Sequence, residues 1–304
     1  MNRATSKHRN RVSDPRCATA PVVRLALTMA ALIALWVPPV QAQFLNKLLE
    51  GVGENLGTIV QNADKLMGKY SEEEERTIGS GVADVLLGAA PLYPDDDVQR
   101  YVNTLGMWLA LQTERPNLRW NFAVLDDPAP NALAAPGGYI FVTRGLLVLM
   151  RSEAELAGVL AHEISHVLRK HHLAAITSQE RFSLAVDVIK SASDTDGAVG
   201  DALAGLTKQV YKKGLDHADE YEADRMGVVI AARSGYDAYG LSHALMTLDA
   251  LSGNQQLMSF FNSTHPRTGD RINQLYSLLD GRFVIPTPPS SKDFARMQAK
   301  MGVK

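Results

Sequence analysis

Residues His162–His166 read HEISH. Side chains four residues apart share one face of a helix, so the imidazoles of His162 and His166 can aim at a single metal ion. Glu163, beside the first histidine, brings a carboxylate to the same place, where it can take a proton from water. Two nitrogen donors and a nearby carboxylate base are the components of zinc-assisted hydrolysis. Such an ion needs a third protein ligand and an open position for water. The segment Asp216-His217-Ala218-Asp219-Glu220-Tyr221-Glu222-Ala223-Asp224 is the obvious source. On a helix, Glu220 and Asp224 share one face, His217 lies nearby and Glu222 points elsewhere. Glu220 can ligate the ion while Asp224 hydrogen-bonds a histidine ligand. Spacing alone leaves His217 open as the alternative. His171 and His172 fall off the ligand face of a continuous helix and read as polar surface residues.

The elements that must position these groups are legible in outline. Ser152 and Glu155 form a capping box that opens the HEISH helix, and Leu156, Val159, Leu160, Ile164, Val167 and Leu168 give it an apolar stripe. A second helix runs from about Asp216 to Arg233 and stops at Gly235. Upstream, Ser71-Glu72-Glu73-Glu74 opens a helix to about Gly88. Asp95-Asp96-Asp97 starts another that ends near Pro116, its acids suiting the positive end of the helix dipole. Trp120–Leu125 alternates as a strand does, Asn131–Pro136 reads as loop, and Gly137-Gly138 turn into the β-rich run Tyr139–Thr143. Residues 178–213 read as two helical pieces around the polar break Ser191–Gly197, a surface loop rather than a mobile flap. The last helical run, Asp270–Leu279, precedes a Pro/Ser-rich stretch and a short charged tail.

Composition bounds the class. Hydrophobic residues make up 46% of the 304 and charged ones 21%, which suits one soluble domain with additional terminal sequence. The first 42 residues read as an export signal: a basic region (Arg3, Lys7, Arg9, Arg11, Arg16, Arg24), an apolar run Leu25–Val37, and Val40-Gln41-Ala42 as cleavage site. An uncleaved anchor is the alternative, disfavoured because the apolar run is short and closed by Pro38-Pro39. The remainder carries 25 basic and 32 acidic residues, a net charge of −7, which argues against nucleic acid as partner. Cys17, the only cysteine, lies in the removed segment, so a metal must rely on histidine and carboxylate. The expected organisation is 1–42 signal peptide, 43–70 helix and linker, 71–283 zinc-site domain and 284–304 tail. The expected location is the periplasm, free or associated with the membrane.

HEISH followed by Glu220-Tyr221-Glu222-Ala223-Asp224 resembles metallopeptidase family forty-eight, the group of the CAAX prenyl protease, HtpX and BepA, in a short exported form. The resemblance runs from about Ser71 to Phe283 and takes in Asn131-Ala132-Leu133-Ala134, Gly137–Leu146 and Ser263-Thr264-His265-Pro266. It implies an α+β, mostly helical, gluzincin-type domain with a small β-sheet edge beside the HExxH helix. It also implies one Zn2+ per chain held by His162, His166 and Glu220, with Glu163 as catalytic base and Asp224 supporting the ligands. His265 is implied as a regulatory fourth ligand that closes the open position, with Arg271 nearby. Gly138, Tyr139, Ile140 and Phe141 are implied as the edge strand on which an extended substrate is laid; backbone pairing there reads few side chains. The activity implied is endopeptidase cleavage of unfolded or misassembled proteins in the cell envelope, with envelope-associated proteins as partners. The alternative is a latent peptidase acting mainly as a periplasmic chaperone or assembly factor.

Overall fold

The run Ala154–Leu168, AELAGVLAHEISHVL, is apolar nearly all round, and in the computed structural model every one of its fifteen residues is buried. A helix of that kind belongs in the middle of a domain. The expected apolar stripe is thus a fully enclosed helix, and its histidines sit in the interior. The structure describes residues 70–177, 205, 207, 209–266, 268–282 and 291–303. The signal segment, nearly all of the 43–70 linker and the polar break Ser191–Gly197 lie outside the described residues.

In chain order the elements are α1 (Glu72–Ala89), α2 (Asp96–Ala110), β1 (Asn121–Leu125), β2 (Ala132–Ala135), β3 (Tyr139–Thr143), α3 (Arg144–Leu149), α4 (Glu153–Leu168), α5 (His171–Thr177), α6 (His217–Arg233), α7 (Gly240–Asp249), α8 (Gln255–Thr264), α9 (Thr268–Leu279) and α10 (Lys292–Lys300). The fold is mostly helical with a small sheet, as expected. Ser71 and Glu74 form the reciprocal capping box of α1. At α4 the box is only half made: Ser152 Oγ accepts from the Glu155 N–H, while the Glu155 carboxylate accepts from the N–H of Arg151 at 2.8 Å. Asp95 caps α2 by accepting from the N–H groups of Asp97 and Val98. That helix ends at Ala110, short of Pro116, where the chain turns.

Two readings of the sheet need correction. Asn131–Pro136, read as loop, contains the strand β2; its Ala-Leu-Ala-Ala sequence has weak β-propensity, and burial on both faces sustains it. The strand order is β1-β3-β2, with β1 parallel and β2 antiparallel to β3. Tyr139, Ile140 and Phe141 are therefore on the central strand, paired on both sides. Gly138, just before it, already accepts from the Asn121 N–H at 2.8 Å. None of these four offers a free edge. Among the described residues the edge beside α4 is β2.

Small residues set how closely the helices approach α4. A Cβ on Gly227 of α6 would lie 3.0 Å from the backbone nitrogen of His162, and one on Gly158 would lie 2.5 Å from the backbone nitrogen of Leu241 in α7. Helices α7 and α8 fill the stretch between Gly235 and Asp270 that shows no clear sequence signal. The charged tail is also helical: α10 is capped by Ser291 and adds Phe294 and Met297 to the core beside α2. No helix among the described residues is long and apolar enough to cross a membrane.

The contact at Gly158 leaves no room for a methyl group. Gly158→Ala is expected to push α7 off α4 and to cost about 1–3 kcal/mol of stability, the usual penalty for overpacking. Thermal denaturation checks this, and an unchanged melting temperature would contradict the packing described.

Candidate metal centre

The i, i+4 spacing on α4 turns His162 and His166 towards α6, with their Nε2 atoms 2.9 Å apart. Glu220, in the first turn of α6, meets both rings: Oε2 lies 3.6 Å from His162 Nε2 and Oε1 3.5 Å from His166 Nε2. His265, at the C-terminal cap of α8, brings Nδ1 to 3.3 Å from Glu220 Oε2. One donor atom from each of these four residues lies within 4.8 Å of the others, and all four side chains are buried. Of the candidates on α6, Glu220 reaches the histidine pair. His217 is exposed, and Glu222 turns outward to Arg169 at 2.9 Å.

Behind the donors lies a charged network. Asp224 Oδ1 is 2.9 Å from His162 Nδ1, one turn along α6 from Glu220. Arg271 on α9, 1% exposed, donates from Nε and Nη2 to the two oxygens of Asp224 at 2.9 and 2.6 Å. Its Nη1 lies 2.8 Å from Glu220 Oε2. Burial pushes the Glu220 carboxyl up, but Arg271, His265 and His162 outweigh it and hold it down to about 2. Asp224 behaves alike: burial opposes ionisation, and Arg271 and His162 keep it well below the usual carboxylate range. Burial and the surrounding imidazoles hold His166 well below its ordinary value, so its ring is neutral and keeps a lone pair. For His265, burial pulls the ring down while Glu220 and Glu163 push it up to about 9.

The structure corrects the placement of His171 and His172. Both are buried, and His171 Nδ1 lies 2.9 Å from His166 Nδ1. On a continuous helix His171 would sit about 140° round from His166. The helix does not continue. Lys170 adopts φ 59°, the only positive φ outside glycine among the described residues, and folds the chain back so that α5 starts over the ring of His166. That conformation costs about 1–3 kcal/mol. The Lys170 ammonium is paired with the buried carboxylate of Glu75, which also binds Arg115 at 2.9 Å. His172 stacks on Tyr211, with ring centres 4.9 Å apart.

Nitrogen and carboxylate oxygen without thiolate is a donor set that suits zinc among the transition metals. The fit shows in the unsatisfied atoms. Glu220 Oε1 and Glu163 Oε2 are buried carboxylate oxygens without a hydrogen-bond partner among the described residues, a costly state that a cation would relieve. Glu163 is 1% exposed, and its Oε1 lies 3.6 Å from His265 Nε2. Burial pushes its carboxyl up against the weaker pull of His265 and His162. The remaining bond of His265 is to β2, where Nε2 donates to the Ala132 carbonyl at 3.1 Å.

The sequence pattern of Peptidase family M48 matches residues 96–279. The "Beta-barrel assembly-enhancing protease" of Yersinia pestis is 29% identical over 239 residues, 75% of this chain and 49% of that protein. The "Mitochondrial metalloendopeptidase OMA1" of Schizosaccharomyces pombe is 31% identical over 161 residues, 52% of this chain and 46% of that protein. The beta-barrel assembly-enhancing protease of Escherichia coli is 31% identical over 173 residues, 54% and 35% respectively. The chain thus spans half or less of the length of these relatives.

The depressed carboxylates set an acid limit on stability. A group held lower in the folded state stabilises above its unfolded value and loses that contribution as pH falls through the folded one. For Glu220 the window runs from 4.5 down to about 2, and Asp224 extends it from 3.8 downward. Raised His265 works in the opposite sense, contributing below 6.5 and ceasing to as pH passes about 9. Denaturant titrations of chelator-treated protein are expected to show stability falling below pH 4.5 more steeply than in the Glu220→Gln, Asp224→Asn double variant. Parallel profiles would contradict the assignment of charge.

Proposed function

The chain belongs to Peptidase family M48, and on that premise we propose that it is a zinc-dependent metalloendopeptidase cleaving unfolded or misassembled proteins in the cell envelope. The observation that carries this reading is the convergence of His162, His166 and Glu220 beside a buried, unpartnered oxygen of Glu163. His162, His166 and Glu220 would hold the ion. Bound zinc supplies Lewis acidity, lowering the pKa of water and polarising the scissile carbonyl. Asp224 accepts from His162 Nδ1–H, which leaves Nε2 free to ligate, and Arg271 keeps Asp224 ionised. Glu163 takes the proton of the attacking water and passes it to the leaving amine. The upward push of burial on its carboxyl favours its keeping a proton once it has accepted one.

The substrate backbone has a place on β2. The Ala132 carbonyl accepts from His265 and the Ala134 carbonyl from the Tyr211 hydroxyl, so both point away from β3, on an edge that these two buried side chains cover. An extended peptide pairing there, in place of these side chains, would run past the donor cluster, and pairing of that kind needs a segment free to extend. His265 stands in the way, bonded to Ala132 and facing Glu163 and Glu220; we take it as the gate of the site. The basic and apolar pattern of the first 42 residues, together with the name of the bacterial relatives, supports the envelope as the place of action.

Glu163→Gln is expected to bind zinc in a 1:1 ratio and to lose about 10²–10⁴-fold in cleavage of an unfolded protein such as casein, the range for removing a general base. Zinc analysis alongside a cleavage assay checks this; full activity in the variant would overturn the mechanism. His265→Ala is expected to raise the rate of casein cleavage by opening the site. An unchanged or lower rate, with zinc still bound, would remove His265 as a gate.

A further inference from the structure

The two histidines of α4 are supported differently. His162 leans on a carboxylate, Asp224, at 2.9 Å from its Nδ1. His166 leans on another imidazole, with His171 Nδ1 at 2.9 Å and the two rings 72° apart in an edge-on arrangement. The atoms that face each other settle where the protons lie. His166 turns Nε2 to His162 and Glu220, so that nitrogen carries the lone pair if the ring is a ligand. Its proton is then on Nδ1 and must be donated to His171. His171 can accept only at an unprotonated Nδ1, which puts its own proton on Nε2. That nitrogen faces acids: Glu222 Oε2 at 3.5 Å and Asp219 Oδ1 at 3.6 Å. Both are on α6, the helix that carries Glu220 and Asp224.

We propose that His171 is a positioning residue for the metal centre, accepting the Nδ1 proton of His166 and relaying the negative field of Asp219 and Glu222 to that ring. The inference rests on the reading of His166 as a zinc ligand. It gives α6 a hold on both histidines: directly on His162 through Asp224, and on His166 through the inserted imidazole. It also gives the left-handed backbone at Lys170 a purpose, since without that reversal His171 would point away. The Lys170–Glu75 ion pair then belongs to the support of the site, because it anchors the turn.

The test compares zinc affinity, by competition with a chelator of known strength, in the full chain and in two variants. His171→Leu is expected to bind zinc about 10–100-fold more weakly, the usual cost of losing a partner behind a ligand. His171→Gln, whose Oε1 can accept the same proton, is expected to recover most of that loss. In the zinc-loaded wild type, ¹⁵N spectra should show His171 bare at Nδ1 and protonated at Nε2. Unchanged affinity in His171→Leu, a glutamine variant as weak as the leucine one, or a proton on His171 Nδ1 would overturn the proposal. Should the leucine variant fail to fold, the wild-type spectrum decides alone. A wild type that takes up no zinc would overturn the metal reading itself and this inference with it, whereas a zinc-binding wild type matched by His171→Leu overturns only the inference.

Discussion

The centre depends on one buried cation. Arg271 is 1% exposed, and its guanidinium spans Asp224 and Glu220. Isolated carboxylates in such surroundings would take up protons, because moving an ion out of water costs several kcal/mol. A planar, permanently charged fork with five donors can meet both acids at once; an ammonium could not do so with the same geometry. With Arg271 in place, Asp224 stays an anion and orients His162, and Glu220 stays an anion within reach of both rings. A charge on α9 thereby sets the protonation of groups on α4 and α6. The residue is as much part of the centre as the four candidate ligands, although it offers an ion no lone pair.

The second constraint is distance. Aspartate has a short side chain, and Asp224 reaches His162 only because α6 lies against α4 at Gly227. A side chain at that position would meet the backbone of His162. A displacement of about 1 Å in such a centre can cost 100-fold in rate. Gly158 and Gly240 do the same service on the α7 side, where a Cβ on Gly240 would lie 2.2 Å from the Ala154 carbonyl. The small residues of α4 and its neighbours thus set the geometry of the centre through packing.

Much of this was legible in the sequence because helices write their geometry in local spacing. His162, Glu163 and His166 on α4 follow from the period of 3.6, which also sets Glu220 and Asp224 on one face of α6, while the choice of Glu220 over His217 came only with the family resemblance. What was hidden depends on tertiary structure. Lys170 has no side-chain signature for a left-handed backbone, so His171 appeared to face solvent. β2 is built of alanine and leucine, whose low β-propensity is overridden by burial between the sheet and α4, so the central strand was mistaken for the edge. α10 buries only Phe294 and Met297, too thin a stripe to separate from a charged tail, although Ser291 was a usable cap.

The position of His265 ties these features together. Both of its ring nitrogens are engaged, Nδ1 with Glu220 and Nε2 with the Ala132 carbonyl, and the two bonds draw on different requirements of the proposed reaction. An ion at the donor cluster competes for Glu220. A peptide added to the β2 edge competes for Ala132. Either one removes one of the two bonds of the ring; with both gone, what is left is Glu163 at 3.6 Å, too long for a good hydrogen bond.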